Sequence, residues 1–164
     1  MPYVDEMFDL FNKTYSRLSS YVPISDSQIK YFKERYISFV NPEFIKFVVD
    51  ENHKLIAFAI IMPSFSKALQ KANGKLFPFG IFHLLKARKN PKVVTSYLIG
   101  VDEEYQNKGV TGIIFDDYLE SFEIQGVETM VRTPELEENT AIHQIWRNFK
   151  PVTHKRRRTY RLPL

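Results

Sequence analysis

The sequence predicts an α/β domain in which a mixed sheet carries helices on both faces, and three observations support this. Two apolar, β-branched runs, Ile45 to Val49 and Lys54 to Met62, flank a polar turn and predict an antiparallel hairpin. Beyond Val93, strand-like and helix-like stretches alternate, which predicts a partly parallel sheet. The helical stretches carry their own start and stop residues.

In chain order, Met7, Phe8, Phe11, Tyr15 and Leu18 recur at steps of three and four, which places them on one helical face. Ser25 with Gln28 is a capping-box pair, and Ile29, Phe32, Tyr36 and Phe39 continue a second stripe that must end before Pro42. After the hairpin, residues 64–90 read as helical in two pieces, broken at Gly74 and at Pro78-Phe79-Gly80. Their apolar content, including Leu76, Phe77, Phe79, Ile81, Phe82, Leu84 and Leu85, is more than a solvated loop should expose, so packing on the sheet or on a partner is expected. Val93 to Val101 resumes as a strand. Ile113, Ile114, Tyr118, Leu119 and Phe122 then predict a helix, closed by Gly126 in the left-handed cap position. Val127 to Val131 follows as a strand. Asn139 is an N-cap for a helix with the face Ile142, Ile145, Trp146 and Phe149, which Pro151 ends. A final strand is predicted over Thr153 to Leu162.

The 164 residues suit one domain, 1–164, whose core needs no staple. Cysteine is absent, which excludes disulfides, thiolate metal sites and a cysteine nucleophile. The most apolar run, Leu55 to Met62, is far shorter than the ~20 residues that span a bilayer. With acidic Asp5 and Glu6 near the start in place of a basic leader, the reading is a cytoplasmic protein with no membrane partner. The net charge of +4 is local: Lys155, Arg156, Arg157, Arg158 and Arg161 crowd the last ten residues. With those five set aside, 18 of the 23 basic residues remain against 19 acidic ones, so a nucleic-acid footprint is not expected.

Function concentrates in Tyr97-Leu-Ile-Gly-Val101 and the loop Asp102-Glu-Glu-Tyr-Gln106-Asn-Lys108-Gly109-Val-Thr111. A buried strand running through a glycine-bearing loop into a helix presents unpaired amides and the positive dipole end, an arrangement that binds pyrophosphate. Gln106, two residues, Gly109, one residue and Thr111, preceded by Val101 and Tyr105, resemble the signature of the GCN5-related N-acetyltransferase superfamily. Thr111 departs from it, standing where that family has glycine or alanine. Gly74 to Gly80 and Val152 to Tyr160 further resemble a group of longer bacterial proteins that end in such a domain.

The resemblance implies an acyl-CoA N-acyltransferase fold, with residues 64–90 as a helical insertion between its third and fourth strands. It implies acetyl-CoA as acyl donor and an amine as acceptor. The cofactor-binding positions carried over are Ile99, Val101, Gln106, Asn107, Lys108, Gly109, Val110, Thr111 and Asn139. The central strands of that fold part after about Gly100, which frees a strand amide for the thioester carbonyl. The fold also begins with a strand, for which Met1 to Val4 is too short. An open edge there invites pairing with a second copy or with a missing upstream domain. A non-catalytic CoA-binding or interaction module is the alternative function.

No catalytic residue follows from the sequence. Where that family often places a tyrosine, counting from Asn139, this chain has Trp146, whose indole donates a hydrogen bond but delivers no proton. Its place on the apolar face of the last helix is the simpler reading, which leaves Tyr97 and Tyr160, both on predicted strands, as hydroxyl donors. His53, His83, His143 and His154 lack ligand spacing, so no metal is expected. Asp116 and Asp117 read as a solvated helix face, and Glu135, Glu137 and Glu138 as acids favoured ahead of a helix N-terminus.

Overall fold

The computed structural model describes residues 2–18, 21–37, 40–160 and 162. Its centre is strand β2 (Leu55–Pro63), in which Leu55 to Ile61 are all buried. Successive strand residues point to opposite faces, so this unbroken burial means that both faces of the sheet are covered. Strand β1 (Ile45–Val49) pairs with β2 antiparallel, Phe47 opposite Phe58. Strand β3 (Val93–Val101) pairs antiparallel on the other side of β2, Gly100 opposite Phe58. Strand β4 (Thr129–Arg132) runs parallel to β3, giving the order β1-β2-β3-β4.

One face is covered by α1 (Val4–Tyr15), which buries Met7, Phe8 and Phe11; the Phe11 and Phe58 rings lie 6.5 Å apart. The opposite face is covered by α5 (Val110–Gln125), whose Tyr118 hydroxyl reaches the carbonyls of Phe44 and Ala59 at 2.8 and 3.0 Å. Gly126 ends α5 at φ 65°, as its sequence position predicts. Helix α2 (Asp26–Phe32) begins with the predicted cap, the Ser25 amide donating to Gln28 Oε1 at 2.9 Å, then widens into one π-helical turn, Lys33–Ile37. None of its residues is buried, so of the stripe only Ile29 and Phe32 lean on the core, Tyr36 is exposed, and Phe39 lies outside the described residues.

Two helices, α3 (Ser66–Lys71) and α4 (Gly80–Lys89), fill the path between β2 and β3 and break at the glycines the sequence marks. Of the two packings expected, on the sheet or on a partner, the first does not occur for Leu76, Phe77, Phe79, Phe82 and Leu85, which are exposed. Helix α6 (Thr140–Arg147) closes the regular structure. Among the described residues the predicted final strand does not form: residues 151–160 have no regular structure and are exposed. A strand is held by ladder partners rather than by composition, and this segment has none.

Candidate functional site

β3 and β4 pair over only four positions, from Val93 opposite Thr129 to Ser96 opposite Arg132, and the Thr133 amide closes the ladder on Ser96 O at 3.2 Å. The chain then turns away through residues 133–139 into α6, while β3 continues to Val101. The sheet therefore opens as a wedge from Tyr97 onward, three residues earlier than the Gly100 that the family resemblance implies. The wedge holds a groove of about 720 Å³ between Tyr97–Val101 on one wall and Thr133–Leu136 with α6 on the other.

The opened edge of β3 is chemically defined. The Asp102 amide donates to Ile56 O at 2.8 Å, so by strand alternation the Val101 amide faces away from β2, toward the groove. Ile99 faces the same way, but its polar groups are engaged by Tyr15 from the last turn of α1. The Tyr15 hydroxyl donates to Ile99 O at 3.2 Å and accepts the Ile99 amide at 3.4 Å. Burial raises the Tyr15 pKa above its ordinary value, so at neutral pH the group is a hydroxyl donor and not a base. Gln106 Nε2 donates to Val101 O at 3.2 Å, which ties the loop back to the strand.

The loop starts at buried Asp102, whose carboxylate takes Lys13 Nζ at 2.8 and 3.0 Å and the Glu104 amide at 3.4 Å. The Lys13 ammonium holds the Asp102 carboxyl below its usual range, and Asp102 in turn raises Lys13. Arg17 pairs with Glu103 at 2.5 Å, so α1 clamps the base of the loop twice. The turn then uses two left-handed residues, Asn107 at φ 60° and Gly109 at φ 83°, the second serving as N-cap of α5. A side chain built at Gly109 or Gly112 would meet nothing within 4 Å, so this corner looks into open space. The amides of Val110 and Thr111, ahead of the Gly112 amide that donates to Gly109 O at 2.8 Å, have no acceptor a turn earlier in the helix and point out of it.

The structure brings Ile99, Val101, Gln106, Asn107, Val110, Thr111 and Asn139 to one groove. Gly109 shapes the same turn without lining the groove. Lys108 turns outward, its ammonium 5.3 Å from the centre of the Tyr105 ring. Asn139 acts as the predicted N-cap, its Oδ1 accepting the Ile142 amide at 3.3 Å.

Two groove residues escaped sequence reasoning. Tyr15 was read only as part of a helical stripe, although a tyrosine at the end of an otherwise apolar face signals a hydroxyl that needs a partner. Glu135, read as a dipole-favouring acid, is committed elsewhere: Oε1 accepts the Trp146 indole N–H at 2.8 Å and Oε2 accepts Arg132 at 2.9 Å. Trp146 is 2% exposed and sits edge-on to Phe115 at 5.2 Å, a core residue whose one polar atom is already used. Tyr97 lines the groove, whereas Tyr160 lies on the exposed tail and not on a strand. Asp117 pairs with Lys46, and Asp116 is exposed. His143 approaches Glu135 at 3.7 Å; among the described residues no group of three or more His, Asp or Glu side chains is arranged to hold a metal ion.

No family model matches the chain. Protein YghO of Escherichia coli (strain K12) is 23% identical over 158 residues, an alignment covering 93% of this chain and 40% of that protein. The chain thus spans well under half the length of this curated relative. Among solved structures, one of a probable acetyltransferase superposes with a TM-score of 0.63 at 17% identity, covering 100% of this chain and 93% of that one. AAC(6')-Iy in complex with the bisubstrate analogue CoA-S-monomethyl-acetylneamine gives 0.57 at 14% identity, covering 99% and 92%. The aminoglycoside acetyltransferase meta-AAC0020, from an uncultured soil metagenomic sample and in complex with trehalose, gives 0.55 at 13%, covering 99% and 89%. At these identities the likeness is one of fold alone: the chain has the mixed α/β fold of these acetyltransferase structures, the fold that its resemblance to the GCN5-related N-acetyltransferases implies.

Proposed function

We propose that the chain binds acetyl-CoA in the wedge between β3 and the segment 133–147 and passes its acetyl group to an amine. One observation carries this reading: the parting of β3 from β4 leads the groove-facing Val101 amide directly into the Gln106–Thr111 turn at the N-terminus of α5. In this reading the α5 amides take the pyrophosphate, while Val101 and the β3 edge take the amide-bearing arm and the acyl end. The bound CoA complex of AAC(6')-Iy lends support by fold alone.

In the transfer the amine nitrogen attacks the thioester carbonyl carbon. The C–N bond forms, the C–S bond breaks, the CoA thiolate leaves, and the amine proton passes to solvent or sulfur. Groove residues supply position and backbone hydrogen-bond donors such as the Val101 amide more than proton abstraction, the Tyr15 hydroxyl being committed to Ile99. Among the described residues lining the groove, Glu135 is the one carboxylate, both its oxygens are engaged, and no histidine is present. Transfer to simple amines should therefore be slow.

The same shortage of a base favours the alternative, a module that binds CoA without turning it over. A thiol-release assay with acetyl-CoA and a broad amine panel separates the two. Amine-dependent release supports transfer, binding without such release supports the module, and absence of binding rejects both.

A further inference from the structure

We propose that the face formed by the turn 73–79 and the outer side of α4 docks on an anionic lipid surface. Three features of the segment between β2 and β3 point there. The first is exposure of large apolar side chains: Phe77 is 80%, Phe79 71% and Phe82 64% exposed, with Leu76 and Leu85 half exposed beside them. Phe79, Phe82 and Leu85 follow at steps of three, so they share one side of α4, and Phe77 projects from the adjoining turn. Every residue from Asn73 to Phe79 is exposed, a concentration that a solvated surface does not ordinarily carry.

The second feature is charge. No Asp or Glu occurs between Glu51 and Asp102, while Lys67, Lys71, Lys75, Lys86 and Lys89 share the segment with the aromatic cluster and are exposed. A patch of one sign rules against self-association, because two copies meeting through it would bring like charges together. The pairing of aromatic anchors with exposed lysines suits the boundary of an anionic bilayer, where the rings enter the acyl region and the ammonium groups meet phosphate.

The third feature is position. The segment leaves the sheet at Pro63 and returns at Val93, and the Ser64 amide donates to Val93 O at 2.8 Å. It thus lies at the end of β3 opposite the Gln106–Thr111 turn, and no residue of 64–90 lines the groove. Docking through it leaves the groove open. Among the described residues no helix is long and apolar enough to cross a membrane, so the contact is with a surface. This departs from the sequence expectation of no membrane partner, which weighed only spanning segments and leaders.

The test is co-sedimentation of the whole chain with phosphatidylcholine vesicles, with and without phosphatidylglycerol, at low and high salt. Retention is expected only on the vesicles containing phosphatidylglycerol and should weaken as salt rises. Each lysine near an anionic surface contributes about fivefold in partitioning. The triple variant Lys71→Glu, Lys75→Glu, Lys86→Glu should therefore lose more than about tenfold, and so should Phe77→Ser, Phe79→Ser, Phe82→Ser. All six sites are exposed, so unchanged thermal melting of both variants confirms that they fold. Absence of retention on anionic vesicles overturns the proposal. So does retention of either variant equal to that of the wild type, loss only when Lys155 to Arg158 are replaced by serine, or a dimer in light scattering that the phenylalanine variant dissolves.

Discussion

The Tyr15 hydroxyl caps both polar groups of Ile99, a residue 84 positions away, at the place where β3 loses β4 as a neighbour. It does for the parted strand what the next ladder rung would have done. Tyr15→Phe removes that cap and leaves a partly buried amide and carbonyl unpaired. The expected cost is about 1–2 kcal/mol in urea unfolding, and an unchanged midpoint would show that the contact contributes nothing.

Gly100 permits the close approach of α1 to the sheet. A Cβ there would stand 2.5 Å from Phe58 Cε1 and 3.1 Å from Thr14 Oγ1. Phe58 is fully buried against Phe11 and has nowhere to move. Gly100→Ala should therefore destabilise by about 1–3 kcal/mol through overpacking, despite adding one methyl group. A thermal midpoint equal to wild type would mean that α1 is free to shift.

The Lys13–Asp102 pair gives stability a definite pH window. The folded pKa of Asp102 is depressed below its ordinary 3.8, so its contribution is present above that pH and is lost as pH falls through the folded value. The folded pKa of Lys13 is raised above 10.5, so its contribution is full below that pH and is lost as pH rises further. Asp102→Asn should cost about 1 kcal/mol at neutral pH, the low end for a buried charged group, because the ammonium of Lys13 stays half in water. Melting curves of both proteins across pH should converge at the acid extreme, and a gap independent of pH there would contradict the pairing.

Trp146→Phe removes the indole donor from Glu135 and part of the packing on Phe115. A loss of about 1–3 kcal/mol in stability is expected. Any thiol release seen with wild type should persist at a comparable rate in folded Trp146→Phe. A large fall in kcat with an unchanged melting temperature would give Trp146 a role in turnover that its burial does not suggest.

What the sequence disclosed was local. The β-branched run of β2, the strand β3, the glycine after α5 and the asparagine before α6 each carry their signal within a few residues, and the structure places all four as read. The Gln106–Gly109 spacing likewise marks the turn into α5. What stayed hidden depends on distant partners. Nothing around Tyr15 names Ile99, and nothing around Glu135 says that its carboxylate is engaged by Trp146 and Arg132. The tail 151–160 has strand composition and no strand to pair with. The apolar residues of 76–85 read as packed on the sheet or on a partner, because composition reports apolarity and not which way it faces.

The central claim is that the turn at Gln106–Thr111 holds the phosphates of acetyl-CoA through backbone amides. Gly109 stands at φ 83°, which a β-branched residue adopts only under strain, so Gly109→Val should re-form the turn and misplace the amides of α5. Thr111→Gly should leave binding intact or tighten it. Calorimetric titration of acetyl-CoA decides the matter: saturable one-site binding to wild type and to Thr111→Gly, lost in a folded Gly109→Val, is the predicted result, and no binding to wild type, or equal affinity in Gly109→Val, would contradict it.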